Sequence, residues 1–254
     1  MKDTVVHKRI GGTEFELDLG EVIDLGLYLG EFEKDLADAI DRFCGPGMIV
    51  LDIGANVGAH ALHFGRLVGR EGRVFAFEPT EYAFDKLLRN SSLNPALNIF
   101  CHRIALSDRN RGDQEIDFRS SWRTDGGRRD SRCRVDFGRL DDWCRNHDVV
   151  DVDIVKLDVD GNEFSVLKGA ERLLRNCSPL LFIEVWGPNF SREEENPFVF
   201  LHRFGYRFFT LDMRNEYRSI EEMRNRVSSP NGELLDSSFN AVALKNPERW
   251  VQGQ

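Results

Sequence analysis

The chain has 254 residues, 41% of them hydrophobic and 30% charged, a composition that fits one large globular domain and excludes a disordered chain. No run approaches the roughly 18 uninterrupted apolar residues of a helical membrane span. The formal net charge of −9 disfavours nucleic acid as the general partner, because that binding relies on Lys and Arg neutralising phosphates.

The first 45 residues read as a short β element (Glu14–Leu19) and a helix (Phe32–Phe43), an N-terminal cover on the domain that fills residues 46–254. Strand-like and helix-like segments then alternate. Met48–Ile53 is a buried apolar strand, Val57–Val68 a helix, Arg73–Glu78 a strand, Glu81–Asn90 an amphipathic helix and Asn98–Ile104 a strand. A polar, Arg- and Gly-rich insertion follows, near residues 110–148. Its Asp125-Gly126-Gly127 is a hairpin turn signal between candidate strands Glu115–Trp122 and Arg132–Phe137. The alternation resumes with strand Val152–Leu157, helix Glu163–Arg175 and strand Pro179–Val185. A helix Arg192–Phe204 comes next, with Ser191 as N-cap and Phe198, Phe200 and Phe204 on its buried face. Tyr206–Leu211 and Phe239–Leu244 form a closing antiparallel pair. This order predicts an α/β fold, a mostly parallel sheet with helices on both faces.

The five cysteines (Cys44, Cys101, Cys133, Cys144, Cys177) are odd in number, irregularly spaced and without a CxxC pair, so neither a disulfide framework nor a zinc ribbon is supported. With an N-terminus that lacks an apolar signal segment, this predicts a cytoplasmic location.

The strongest local signal is Val50-Leu51-Asp52-Ile53-Gly54-Ala55-Asn56-Val57-Gly58. An apolar strand enters a glycine-punctuated turn and then a helix, and in open α/β sheets ligands bind beyond such strand ends. The spacing is DxGxNxG, not the GxGxxG of a dinucleotide site. A carboxylate at Asp52 repels a pyrophosphate and welcomes the α-ammonium of an amino-acid-like ligand. S-adenosylmethionine carries that ammonium and no phosphate. Glu78 stands 26 residues further on, at the tip of the second strand, where an acid commonly holds ribose hydroxyls. A third signal is Lys156-Leu157-Asp158-Val159-Asp160-Gly161-Asn162-Glu163, where alternation puts Lys156 and Asp158 on one strand face. Asp160 and Asn162 serve equally well as caps of the following helix.

These blocks, with VFAFEP, CHRIALSD, LDDWC and LLFIEV, resemble the FkbM family of class I methyltransferases over roughly residues 30–186. The resemblance implies a Rossmann-like fold with a seven-stranded sheet and an antiparallel C-terminal strand. It also implies S-adenosylmethionine as cofactor and O-methylation of a sugar, glycan or natural-product hydroxyl. By position, Asp52, Gly54, Asn56 and Gly58 would line the methionine part, Glu78 the ribose, and Ala105 through Asp108 the adenine. Asp158 would face the reacting centre. Asp160 stands where the family usually has Glu, and Ala59-His60 departs from its usual pair.

Methyl transfer to oxygen needs alignment of the acceptor and removal of its proton. Asp158 is the first candidate for that base or for positioning the hydroxyl, followed by Glu163 and His60. Asp158 and Glu184 end adjacent strands and could share a divalent ion, but acids at strand ends more often work without one, so no metal ligand is assigned. His60 and His63 have metal-pair spacing without a third ligand. Arg119, Arg123, Arg128, Arg129, Arg132, Arg134 and Arg139 make the insertion a basic arm that would bind an anionic acceptor, with a solvated hairpin as the plainer reading. Trp122 and Trp186 could stack on a sugar ring or simply pack. A homodimer is compatible with the chain. The competing functions are a methyltransferase for nucleic acid or protein, a nicotinamide-dependent Rossmann enzyme, and a non-catalytic scaffold. The missing NPPY-type tetrad, the missing GxGxxG and the intact cofactor motif argue against each nucleic-acid, nicotinamide and scaffold reading in turn.

Overall fold

The computed structural model describes residues 4–251; the side chains of residues 116–122, 128–131 and 251 lie outside the described residues. The chain divides into two compact units, Met1–Ala105 with Arg111–Phe137, and Leu106–Asn110 with Gly138–Gln254. Seven strands form one mostly parallel sheet.

The first unit opens with an antiparallel hairpin, β1 (Val5–Ile10) and β2 (Thr13–Asp18). Gly11 and Gly12 link them with φ of 56° and 96°, the positive pair that a two-residue hairpin loop requires. The sequence predicts only one β element here. In β1 no residue is fully buried, so its apolar period is faint, and it is held by pairing with β2. Two helices follow, α1 (Val22–Leu29) and α2 (Lys34–Phe43). In α2, Leu36, Ala39, Ile40 and Phe43 recur at helical spacing and are buried.

The parallel run is β3 (Ile49–Ile53), β4 (Arg73–Phe77) and β5 (Ile99–His102), with α3 (Ala59–Val68) and α4 (Glu81–Ser92) as crossovers. Asn90 of α4 and Asn94, just past the end of that helix, hold the outer edge of β2. Glu16 N–H donates to Asn90 Oδ1 at 2.9 Å, Glu14 N–H donates to Asn94 Oδ1 at 2.9 Å, and Asn94 Nδ2 donates to Glu14 O at 2.7 Å. The amides stand in for the neighbouring strand that an edge lacks. Asp24 of α1 and Lys86 of α4 form a fully buried ion pair, and burial pushes the Lys86 ammonium down to about 8.

A short strand β6 (Ala105–Leu106) joins the hairpin β7 (Arg111–Trp122) and β8 (Arg128–Gly138) in a three-stranded sheet, order β6-β8-β7. This hairpin is longer than the two strands expected from sequence. Its tip is docked: Thr124 N–H donates to Gly20 O at 2.9 Å, and Arg123 Nη1 lies 3.7 Å from the buried Glu21 Oε1.

The second unit contains α5 (Leu140–Asn146), β9 (Ile154–Leu157), α6 (Glu163–Lys168), α7 (Glu171–Asn176), β10 (Leu180–Trp186), α8 (Pro197–Arg203), β11 (Arg207–Phe209), α9 (Ile220–Arg226) and β12 (Ser238–Leu244). β9 and β10 are parallel, while β12 runs antiparallel to both β10 and β11. The single helix expected over Glu163–Arg175 is two helices. A Cβ at Gly169 would lie 2.1 Å from Ser107 O, so the backbone passes there at a distance only glycine permits. Asp141 of α5 then accepts Arg172 N–H at 2.9 Å and Leu173 N–H at 3.0 Å, capping α7 from outside. Nor does the next helix start after Ser191. Gly187–Phe190 and Glu193–Glu195 are short 3-10 turns, and α8 begins at Pro197 with Asn196 accepting from Phe198 N and Val199 N at 2.9 and 3.0 Å. A residue before proline is kept out of the helical region, and proline suits the first helical position.

Candidate functional site

In the first unit, β3 delivers Asp52 fully buried at its C-terminal end. The chain then makes a cradle of left-handed residues, with φ of 80° at Gly54, 48° at Asn56 and 91° at Gly58. Asparagine is among the few side-chain-bearing residues that enter that region readily. Gly54 N–H and Ala55 N–H both donate to Phe77 O at 3.0 Å, which ties the cradle to the end of β4. Glu78 completes the tie: Asn56 N–H donates to its Oε2 at 3.0 Å, and Thr80 donates to Oε1 from N at 2.9 Å and from Oγ1 at 2.6 Å. The carboxylate plane is therefore set from both sides. A Cβ on Gly58 would lie 2.8 Å from Leu87 Cδ1 and 3.0 Å from Leu62 Cδ1, so α3 and α4 close on this glycine.

In the second unit, four acids gather where β9 and β10 end. Lys156 Nζ lies 3.2 Å from Asp158 Oδ2. Asp160 and Gly161 form the turn with φ of 50° and 96°. Glu163 is fully buried and clamps that turn. Val159 N–H and Gly161 N–H donate to its Oε1 at 3.1 Å each, and Asn189 Nδ2 donates to Oε2 at 2.8 Å. Burial raises the Glu163 carboxyl above its ordinary value. Glu184, on β10, is pushed up to about 8, chiefly by burial and then by the Asp158 charge; a hydrogen bond with Ser238 opposes the shift. Trp186 stands two residues further along the same strand face. A Cβ on Gly161 would lie 2.7 Å from Trp186 Cζ3, so the indole rests directly on that glycine, and its Nε1 donates to Asp236 Oδ1 at 3.0 Å.

The other expected site residues each have partners of their own. His60 Nε2 lies 2.5 Å from Glu33 Oε2, and His63 Nε2 lies 2.9 Å from Asp41 Oδ1. Each imidazole thus serves its own carboxylate, and burial lowers the His63 value. Both line a cavity of about 270 Å³ under the β1–β2 hairpin and α2. Ala105 packs on Cys133 and Val135. Asp108 is held by Arg109 at 3.2 Å and by Ser107 at 3.3 Å, and the Arg109 hydrogen bond draws its carboxyl below the ordinary value. Arg134 pairs with Asp113 at 2.8 Å, and Arg139 lies 3.6 Å from Asp141. The side chains of Arg119, Trp122, Arg128 and Arg129 lie outside the described residues. Among the described residues no helix is long and apolar enough to cross a membrane, and no group of three or more His, Cys, Asp or Glu side chains is arranged to hold a metal ion.

Sequence reasoning did not single out Glu33, Thr80, Asn189, Ser238 or Asn240. Apart from Thr80, their partners come from other elements, and neither period nor motif marks them. Only Thr80 carried a usable signal, as a hydroxyl residue directly after the Glu78-Pro79 strand end.

Residues 52–208 match the methyltransferase FkbM domain. The chain is 30% identical over 151 residues to the 2-O-methyltransferase NoeI of Sinorhizobium fredii, covering 51% of this chain and 60% of that protein. It is 30% identical over 134 residues to the hexuronic acid methyltransferase AglP of Haloferax volcanii, covering 51% and 53%. The matches thus span little more than half the length of these relatives. Among solved structures, the methyltransferase FkbM of Methylobacillus flagellatus KT superposes with a TM-score of 0.47 at 16% identity, over 82% of this chain and 50% of that one.

Proposed function

The chain belongs to the FkbM methyltransferase family, and from that premise we propose that it is an S-adenosylmethionine-dependent O-methyltransferase acting on a sugar or glycan hydroxyl. The observation that carries the cofactor assignment is the cradle of Gly54, Asn56 and Gly58 above a fully buried Asp52, with Glu78 fixed in plane beside it. That donor set fits the cofactor: carboxylates for an ammonium and a ribose diol, close-approach backbone, and no phosphate-binding fingerprint. Asp52, Gly54, Asn56 and Gly58 hold the methionine part, Glu78 the ribose, and Ala105 and Asp108 border the adenine. When bound, the cofactor supplies an electrophilic methyl group on a sulfonium.

Asp158 serves the acceptor. Its carboxylate, held by Lys156, orients the hydroxyl that is to be methylated. Glu163 keeps the Val159–Gly161 turn in shape rather than meeting the acceptor, and His60 with Glu33 braces the start of α3. The likeness to NoeI and AglP, each named for methyl transfer, supports a carbohydrate acceptor. The basic insertion suits an acceptor with an anionic portion.

Titration calorimetry with S-adenosylhomocysteine tests the reading. Micromolar binding by the wild type that is lost in Asp52→Ala and Asp52→Asn is the expected result. A folded wild type that binds no S-adenosylhomocysteine would return the nicotinamide and scaffold readings.

A further inference from the structure

Resting on that reading, we propose that Glu184 is the residue that takes the proton from the acceptor hydroxyl, while Asp158 positions that hydroxyl. The two carboxyls come from neighbouring parallel strands. In the β9–β10 register Phe182 stands opposite Lys156 and Ile183 opposite Leu157. One step further brings Glu184 level with Asp158. Along β10, residues 180–183 and Val185 are buried, whereas Glu184 and Trp186 are partly open and share one face. The accessible end of the strand therefore presents a carboxyl followed by an indole.

The two acids differ in their partners. Asp158 has a cation 3.2 Å away, which suits a fixed, charged hydrogen-bond acceptor. Glu184 faces Asp158, Asp160 and Glu163, with Ser238 of β12 hydrogen-bonded to it and Asn240 opposite in the β10–β12 register. A carboxylate in such acidic, buried company holds a proton more firmly than an ordinary glutamate, and a firmer hold makes the stronger base. In the step, the acceptor oxygen forms the new O–C bond as the methyl–sulfur bond breaks. The sulfur keeps that electron pair and loses its charge, and the hydroxyl proton passes to Glu184.

The test uses labelled S-adenosylmethionine and a panel of methyl glycosides of neutral hexoses, deoxyhexoses and hexuronates. Expected for Glu184→Gln is a fall in kcat of about 100-fold or more with S-adenosylhomocysteine affinity within about twofold of wild type. Wild-type kcat/KM should rise with pH through about 8, and that rise should vanish in the variant. Asp158→Asn should chiefly raise the acceptor KM. Carbon-13 NMR of labelled glutamate carboxyls gives a readout independent of turnover: one resonance titrating near 8, absent from Glu184→Gln. Retention of kcat within tenfold, with the alkaline rise intact, overturns the assignment. So does a Glu184 carboxyl that titrates with the ordinary glutamates. A wild type that binds S-adenosylhomocysteine yet methylates no member of the panel overturns the carbohydrate reading instead, and with it the step given to Glu184.

Discussion

Glu78, one residue past the end of β4, accepts the backbone N–H of Asn56 at 3.0 Å, so the acid of one strand end fixes the glycine-punctuated loop after its neighbour β3. Thr80 holds the other oxygen of the same carboxylate. The residue proposed to hold the ribose thus also shapes the cradle proposed to hold the methionine part.

That coupling predicts more than the loss of one contact. Glu78→Ala should weaken S-adenosylhomocysteine binding by about 100-fold or more, since a hydrogen bond to a charged group contributes about 1.5–3 kcal/mol and the loop loses its tie as well. Glu78→Gln keeps an acceptor for Asn56 and should lie between the variant and the wild type. Calorimetry on the three proteins measures this; equal affinities would remove Glu78 from the site.

Glycine substitutions should separate two kinds of crowding. At Gly169 a Cβ would meet a backbone carbonyl at 2.1 Å, at an ordinary φ, so Gly169→Ala must displace the Ser107 segment. At Gly58 the obstacles are the ends of Leu87 and Leu62, which can turn away, but φ is 91°. Both variants should lower Tm, Gly58→Ala by an amount equivalent to about 1–3 kcal/mol and Gly169→Ala by more. Gly58→Ala should also weaken S-adenosylhomocysteine binding, because it alters the cradle itself.

The Asp24–Lys86 pair should punish single substitutions. Removing one member leaves a buried charge alone, at about 3–5 kcal/mol. Asp24→Leu and Lys86→Met should each destabilise by that order, and the two together by less than the sum. Urea denaturation of the four proteins gives the coupling; strict additivity would mean that the charges act independently.

Glu184 makes stability depend on pH in a defined direction. Its folded value, about 8, lies above that of an unfolded glutamate, about 4.3. Between those values the folded protein holds a proton that the unfolded chain has released. Stability therefore falls as pH rises from about 4.3 and the loss is complete above about 8. Glu184→Gln lacks this loss, so its Tm should exceed that of the wild type above pH 8 and converge with it near pH 5. The reverse order in paired melting curves would contradict the burial of this acid.

Asn90 and Asn94 should hold the N-terminal hairpin in place. Asn90→Ala and Asn94→Ala each strip acceptors from β2 N–H groups and should destabilise by about 1–3 kcal/mol. Hydrogen exchange at Glu14 and Glu16 should speed up well before exchange in β3. Unchanged protection there would show that β1 alone secures the hairpin.

By itself the sequence determined the alternation of strands and helices, the cradle after β3, the acid after β4 and the acid run after β9. Each of these is a local pattern, because apolar period, glycine and strand-end charge act over a few residues. The break at Gly169, the longer basic hairpin and the strand β1 were decided only in three dimensions. A close backbone approach, a cap reached from α5 or a pairing edge leaves no periodic trace in the chain. The candidate site divides the same way. Asp52, Asn56, Glu78 and Asp158 were legible from spacing, whereas the company of Glu184, and the turning of Glu163 onto its own loop, depend on burial and on partners distant in sequence. Local patterning dictates which residues end each strand; only packing decides which of them stay charged, which are clamped and which are left able to meet another molecule.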